Sequence, residues 1–224
     1  MTLTTLIDAP PWRVDMAEGD GPDLVLAFAS IGHDPTRPPS PEFVASSRVK
    51  GRRALFFMDA SRSWGLHPAL PGILQHALAA AGPAQRRLAI GSSMGAATAL
   101  RAAAHIPLDA ILALGPQSHL ADPRWQHWTA RLTDPGPPPL TQGPWSILFH
   151  ALDDDRDQAL GFHEQPGTDH LLFPGITHSR LGPHLKERGL LQGLIDAALA
   201  RDRRRLLRIA TAAGGVQRRK GMPA

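Results

Sequence analysis

Short apolar runs alternate with helix-like stretches along most of the chain. The runs are bounded by polar or turn residues and are apolar throughout, which is typical of strands covered on both faces. Six are predicted to be strands: Leu24–Ala29, Ala54–Met58, Leu88–Ile90, Ala110–Leu114, Ser146–Phe149 and His170–Phe173.

Ala and Leu recur at helical spacing between and after these runs. The spacing predicts helices over Ala69–Ala81, Gly95–Ala104 and Leu190–Ala213, and Gly82-Pro83 ends the first of them. Strand and helix therefore alternate, which predicts an α/β fold with a mostly parallel sheet and helices on both of its faces. Residues 1–20 are expected to add a hairpin or edge strands, although their pattern is weak.

Length and punctuation indicate one domain. A chain of 224 residues with 42% hydrophobic content can bury one sizeable core. We predict a single domain over residues 1–213. The Pro-rich stretches Asp34–Pro41 and Asp134–Pro144 are predicted to be surface loops. Residues 115–144 leave room for only a small cap segment.

The chain has no cysteine, which excludes disulfides and thiolate metal sites. Its N-terminus lacks the basic start and apolar core of a secretory signal, and no apolar run approaches the roughly 18 residues that a membrane span needs. We therefore expect a soluble, cytoplasmic protein without a membrane span.

The net charge of +4 is unevenly distributed. Residues 201–224 contain eight Arg or Lys against Asp202 alone, so the remainder of the chain is mildly acidic. This concentration argues against a nucleic-acid partner for the body of the protein. Residues 214–224 have no apolar periodicity and are predicted to be a disordered basic tail. The basic residues form either a solvated face or a contact for an anionic partner or membrane surface.

Gly91-Ser92-Ser93-Met94-Gly95 matches the G-x-S-x-G nucleophile elbow, in which a strand turns sharply into a helix and presents a serine. A predicted strand precedes it and a predicted helix follows it. Ser93 is the candidate nucleophile because it alone has Gly at both −2 and +2. The alternative is a solvated serine in a Gly-rich turn. A phosphate loop is disfavoured because neither Lys-Ser/Thr nor G-x-G-x-x-G spacing is present.

A serine nucleophile needs a histidine base, and the base needs a carboxylate that fixes its tautomer. His178 follows the last predicted strand and precedes the C-terminal helix, which favours it over ten other histidines. His150, His163 and His170 are predicted to be structural or solvated. Four carboxylates follow the Ser146–Phe149 strand as candidates: Asp153, Asp154, Asp155 and Asp157.

Carboxylates of this kind, with nearby histidines, can also be ligands of a divalent metal ion. Three consecutive Asp side chains cannot all face one ion from an extended segment, and no H-x-x-x-H pairing is present. No metal site is predicted.

Taken together, these motifs resemble the α/β-hydrolase superfamily over roughly residues 20–200, in its small bacterial, esterase-like form with a minimal cap. Leu24–Gly32 is similar to the strand and oxyanion loop, although Ala29-Ser30 stands where other members carry His-Gly. Asp59–Trp64, of the form D-x-S-R-S-W, is similar to a segment of bacterial hydrolase-like proteins encoded with glycan genes.

The resemblance implies specific roles for residues of this chain. The oxyanion hole would be the backbone N–H of Met94 with that of Ile31 or Ser30. The superfamily spacing from a strand ending in His-Gly, matched here at His150, favours Asp154 as the orienting acid, with Asp157 next.

The predicted function is a serine hydrolase that cleaves an ester or thioester through an acyl-enzyme, without a cofactor. Its substrate would be a small-molecule or glycan-linked acyl compound. Trp64, Trp125 and Trp128 are either apolar walls for that substrate or packing residues. An acyltransferase with the same triad and a non-catalytic binding module remain alternatives. The sequence does not indicate the oligomeric state.

Overall fold

A computed structural model describes residues 3–218 apart from His33 and Pro35. Its sheet has the strand order β1-β2-β4-β3-β5-β6-β7-β8-β9. The strands are β1 (Thr4–Ala9), β2 (Trp12–Ala17), β3 (Asp23–Phe28), β4 (Arg53–Asp59), β5 (Arg86–Ser92), β6 (Ala110–Leu114), β7 (Trp145–Ala151), β8 (Thr168–Phe173) and β9 (Val216–Gln217).

The centre of the sheet is parallel and its edges are antiparallel. Strands β4, β3, β5, β6, β7 and β8 pair in parallel, as the buried apolar runs predicted. The hairpin β1–β2 adds to β4, and β9 adds to β8, both antiparallel. The prediction of a mostly parallel sheet is therefore correct for this central part, but the sheet as a whole is mixed.

Helices cover both faces of the sheet. They are α1 (Val44–Ser47), α2 (Leu70–Ala81), α3 (Met94–Ala102), α4 (Gln126–Thr129), α5 (Arg156–Leu160), α6 (His178–Glu187), α7 (Leu191–Leu199) and α8 (Arg203–Ala212). One core cluster packs α6, α7 and α8 against the sheet, and the other packs α2 and α3. Parallel strands buried on both faces explain the continuous apolar runs of the sequence.

The C-terminal region differs from its prediction in two ways. The single helix expected over Leu190–Ala213 is two helices, because the chain turns at Arg201, whose φ is +52°. The expectation of disorder from residue 214 is wrong for residues 214–218, since Val216–Gln217 pair with β8. Gln217 Nε2 also donates to Asp169 Oδ1 at 2.9 Å. Residues 219–224 of the predicted tail lie outside the described residues.

Within the described part of the chain, no helix combines the length and the apolar character that crossing a bilayer requires.

Candidate active site

Ser93 lies in the sharp turn between β5 and α3. Its backbone has φ +54° and ψ −124°, a conformation that non-glycine residues rarely adopt. A Cβ on Gly91 would come 2.2 Å from the backbone carbon of Gly95, and a Cβ on Gly95 would come 2.1 Å from the backbone oxygen of Phe28. Both glycines of the motif are therefore required for β5, α3 and β3 to approach this closely.

This crowding predicts a large stability effect at Gly95. Gly95→Ala forces a side chain onto the backbone of Phe28, and we expect it to lower the free energy of unfolding by about 3 kcal/mol or more. Urea unfolding measures the change. Gly72→Ala is the matched control, because Gly72 lies within α2 with nothing within 4 Å of its Cβ position and the change should be neutral or stabilising by up to about 1 kcal/mol. Equal unfolding midpoints for the two variants would contradict this account of the elbow.

His178 is the first residue of α6, and its ring faces a buried carboxylate. Nδ1 lies 2.5 Å from Asp155 Oδ2, and Asp155 is 1% exposed. A carboxylate accepts hydrogen bonds, so the neutral ring carries its proton on Nδ1 and leaves Nε2 free to accept one. This is the tautomer that a general base requires.

The prediction that Asp154 orients the ring is wrong. Asp154 Oδ1 accepts a hydrogen bond from the backbone N–H of His178 at 2.6 Å, at the N-terminus of α6, where a negative charge is favourable. Asp153 Oδ1 accepts from the backbone N–H of Gly175 at 2.9 Å. Asp157, the second choice, lies exposed in α5. The consecutive residues 153, 154 and 155 thus hold the loop after β8 at three points, and only Asp155 meets the imidazole.

The chain at the end of β6, Leu114 and Gly115, lies next to both the backbone of Ser93 and the ring of His178. The backbone N–H of Ser93 donates to Leu114 O at 2.8 Å. A Cβ on Gly115 would lie 3.0 Å from His178 Cε1 and 3.4 Å from Asp155 Oδ2. Ser93, Asp155 and His178 therefore lie beyond the carboxyl ends of β5, β7 and β8, at the edge where open α/β sheets place their sites.

Residues 115–144, the predicted cap segment, contact the His178–Asp155 pair through Arg124 and Trp125. Arg124 Nη2 lies 3.0 Å from Asp155 Oδ1, and Nη1 lies 3.1 Å from Asp154 Oδ2. The Trp125 ring lies against the His178 ring with centroids 4.8 Å apart. Asp155 is thus shared between a permanent cation and the imidazole, and Trp125 covers the histidine.

A buried carboxylate organises the turn after β4. Asp59, 3% exposed, accepts hydrogen bonds from the backbone N–H and hydroxyl of both Ser61 and Ser63 at 2.5–2.9 Å. These four bonds hold a turn in which Arg62 and Trp64 both have positive φ, +50° and +54°. The D-x-S-R-S-W segment is therefore a self-bonded turn that directs two large side chains.

Arg62 reaches the loop that follows β3. Its Nε donates to Ile31 O at 2.9 Å, and its Nη2 donates to Arg37 O at 2.8 Å. The resemblance placed an oxyanion donor, Ile31, in this loop, and Ser30 here bonds to Glu42 at 2.5 Å. Met94 is the first residue of α3, where a helix has no partner of its own for the backbone N–H. The oxyanion roles of Met94 and Ile31 stay predictions.

The three tryptophans singled out from the sequence differ in how far they are buried. Trp64 is 0% exposed, so its predicted role as an apolar wall open to substrate does not fit the structure. Its Nε1 instead donates to Gln117 Oε1 at 3.0 Å, and Gln117 Nε2 donates to Ser93 Oγ at 2.8 Å. Trp125 and Trp128 are half-buried and pack in a small apolar cluster around Met94. Sequence reasoning missed Gln117 entirely.

Two buried histidines extend from the site toward β9. Arg218 Nη1 lies 3.3 Å from His170 Nδ1, His170 Nε2 lies 2.8 Å from His150 Nδ1, and His150 Nε2 lies 2.9 Å from Pro116 O. A guanidinium only donates and a carbonyl only accepts, so each ring is neutral with its proton on Nε2. The prediction that these two histidines are structural or solvated thus resolves to structural: they support Pro116, the neighbour of Gln117.

Burial lowers the pKa of His150 to about 4, and burial next to His150 and Arg218 lowers that of His170 well below its usual range. The unfolded chain takes up these protons near pH 6.5 and the folded chain does not. The contribution of these two neutral histidines to the free energy of unfolding is therefore fully present above about pH 6.5. It is lost as the pH falls toward 4.

Urea unfolding between pH 7.5 and 5 measures this loss, at up to about 1.4 kcal/mol per pH unit for each histidine. His150→Gln should flatten the dependence, whatever it does to the stability at pH 7.5. The exposed His105→Gln should keep the wild-type dependence. An unchanged slope in His150→Gln would refute the assignment.

In the part of the chain that the structure describes, no three His, Asp or Glu side chains are grouped to hold a metal ion. The groups that could take part in a reaction are the Ser93 hydroxyl, the His178 imidazole, the buried Asp155 carboxylate and the Gln117 amide.

The architecture and the elbow define an α/β-hydrolase fold, and comparison with solved structures supports it. The capsule O-acetyltransferase of Neisseria meningitidis serogroup A superimposes with a TM-score of 0.63 at 12% identity, over 85% of this chain and 94% of that one. An α/β serine hydrolase without a lid from Xanthomonas campestris gives 0.53 at 17% identity, over 85% and 91%. Thermogutta terrifontis esterase 2 gives 0.55 at 15% identity, over 85% and 91%.

These identities establish a shared fold and leave the activity open. No family model matches the chain, and no curated protein sequence matches it.

Proposed function

We propose that this protein is a serine acyl hydrolase that cleaves an ester or thioester through an acyl-enzyme. Ser93 Oγ attacks the substrate carbonyl while its proton passes to His178 Nε2, and Asp155 stabilises the resulting imidazolium. The protonated His178 then gives that proton to the leaving alcohol or thiol. Water, deprotonated by His178, attacks the acyl-enzyme, the Oγ–carbonyl bond breaks as the protonated His178 returns its proton to Ser93 Oγ, and a carboxylic acid leaves.

The observation that carries this proposal is the presence of a strained serine and an oriented histidine at the same edge of the sheet. Ser93 is held in an uncommon backbone conformation, and the His178 ring is fixed by a carboxylate that is 1% exposed. Strain of this kind persists only where the surrounding structure maintains it, and it concentrates at functional sites. A solvated serine in a Gly-rich turn requires neither feature.

An acyltransferase is the second candidate. It would use the same acyl-enzyme but pass the acyl group to an alcohol in place of water. The capsule O-acetyltransferase among the structural neighbours favours this candidate, because that protein is named as an acyl-transferring enzyme on the same fold. The small-molecule or glycan-linked acyl substrate predicted from the sequence stays a candidate for this chain. A cytoplasmic location stays a prediction.

Intact-mass spectrometry tests the proposal. The protein is mixed with p-nitrophenyl acetate, and a mass increase of one acetyl group on the Ser93 peptide is expected, followed by its decay. Decay to acetate at a rate independent of added alcohols or oligosaccharides indicates a hydrolase. Faster decay with an acetylated acceptor indicates a transferase. Absence of any adduct with esters and with a fluorophosphonate probe would leave the non-catalytic binding module.

A further inference from the structure

Gln117 lies in the turn after β6, between Trp64 and Ser93 in the chain of contacts described above. Its side chain is 2% exposed and bonds at both ends, to Trp64 and to Ser93. A buried amide with both ends bonded is held in one orientation. This inference rests on the proposed function and adds a residue to it.

The identity of the two amide ends follows from Trp64. An indole N–H is a donor only, so the Gln117 atom 3.0 Å from Trp64 Nε1 is the carbonyl oxygen. The atom 2.8 Å from Ser93 Oγ is consequently the NH₂ group. Ser93 Oγ therefore accepts a hydrogen bond from Gln117, and the hydroxyl keeps its own proton for transfer to a base.

A fixed donor at Oγ favours negative charge on that atom. Charge develops on Oγ when its proton moves to His178, and again when the Oγ–carbonyl bond of the acyl-enzyme breaks and the electron pair returns to Oγ. A preorganised donor in a buried site stabilises such charge without reorganising during the reaction. The donors at Met94 and Ile31 would act on the other oxygen, that of the substrate carbonyl.

We infer that Gln117 is a catalytic residue whose amide N–H stabilises the Ser93 oxygen in acylation and deacylation, with Trp64 as the positioning residue that fixes the amide. Trp64, Ser93 and Gln117 are far apart in the sequence. The Asp59 turn and the turn after β6 bring them into contact, Trp64 with Gln117 and Gln117 with Ser93. Neither Gln117 nor Trp64 belongs to the predicted triad or oxyanion hole.

Labelling kinetics with a fluorophosphonate probe and steady-state hydrolysis of a p-nitrophenyl ester test the inference. Gln117→Met removes the donor at similar volume, and we expect about a 10²-fold lower labelling rate and kcat, with KM changed little. Trp64→Phe removes the indole N–H that fixes the Gln117 amide but leaves the amide itself in place. We expect a smaller decrease in labelling rate and kcat for this variant. Gln126→Met, at an exposed glutamine of α4, should retain wild-type rates.

The outcomes separate this inference from the proposed function. Wild-type protein that labels at Ser93 while Gln117→Met labels equally fast, or faster because an obstructing side chain has gone, overturns the role of Gln117 alone. Wild-type protein that forms no adduct overturns both. If Gln117→Met does not fold by circular dichroism, Gln117→Glu replaces it: this variant still accepts from Trp64 but presents a carboxylate to Oγ, and it should be at least as slow.

Discussion

Asp155→Asn is expected to lower turnover of an ester substrate by about 10⁴-fold. The amide cannot act as the acceptor for His178 Nδ1–H without also offering a donor, so the ring is no longer held in the tautomer with Nε2 free. The loss should appear in kcat, with KM changed little, because Asp155 is buried behind the histidine. Steady-state assays with a p-nitrophenyl ester at pH 8 give both constants.

Asp154→Asn is the matched control at the adjacent residue. Its side-chain oxygen still accepts from the backbone N–H of His178, so we expect a loss below about 10-fold. Asp157→Asn, at an exposed site, should be close to wild type. A crippled Asp154→Asn beside an active Asp155→Asn would return the role to Asp154, where the sequence spacing had placed it.

Ser93→Ala is expected to lower turnover by about 10⁶-fold and to abolish the covalent adduct, because the acyl-enzyme can no longer form. Its melting temperature should stay within a few degrees of wild type, since Oγ contributes one hydrogen bond, from Gln117. Ser92→Ala, one residue earlier at the end of β5, keeps the nucleophile and should retain activity. A persistent adduct on another residue in Ser93→Ala would refute the nucleophile assignment.

The parts of the fold that were predictable are those with a strong local signal. Buried parallel strands give continuous apolar runs, and all six predicted runs overlap strands of the sheet. The elbow was recognisable because the close approach of β5, α3 and β3 requires glycine at fixed positions of the motif. Strand β9 was missed because two residues carry no periodicity and their pairing depends on a distant partner, β8.

The choice among consecutive carboxylates was not predictable from spacing. Asp154 and Asp155 differ by one residue, and which of them is buried depends on how the loop folds back: the backbone N–H of Asp155 bonds to Ala151 O, and Arg124 arrives from another loop. Gln117 gave no signal because its partner, Trp64, is 53 positions away in the sequence. Contacts between loops are set by the assembled sheet.

The Asp59 turn makes two distant parts of the site thermodynamically dependent on each other. One buried carboxylate holds the turn from which Arg62 reaches the loop after β3 and Trp64 reaches Gln117. Substitutions at Arg62 and Trp64 should therefore be non-additive in a double-mutant cycle, although their side chains act on different loops. The loop after β3 and the turn after β6 are thus coupled through Asp59, a residue outside the predicted triad and oxyanion hole.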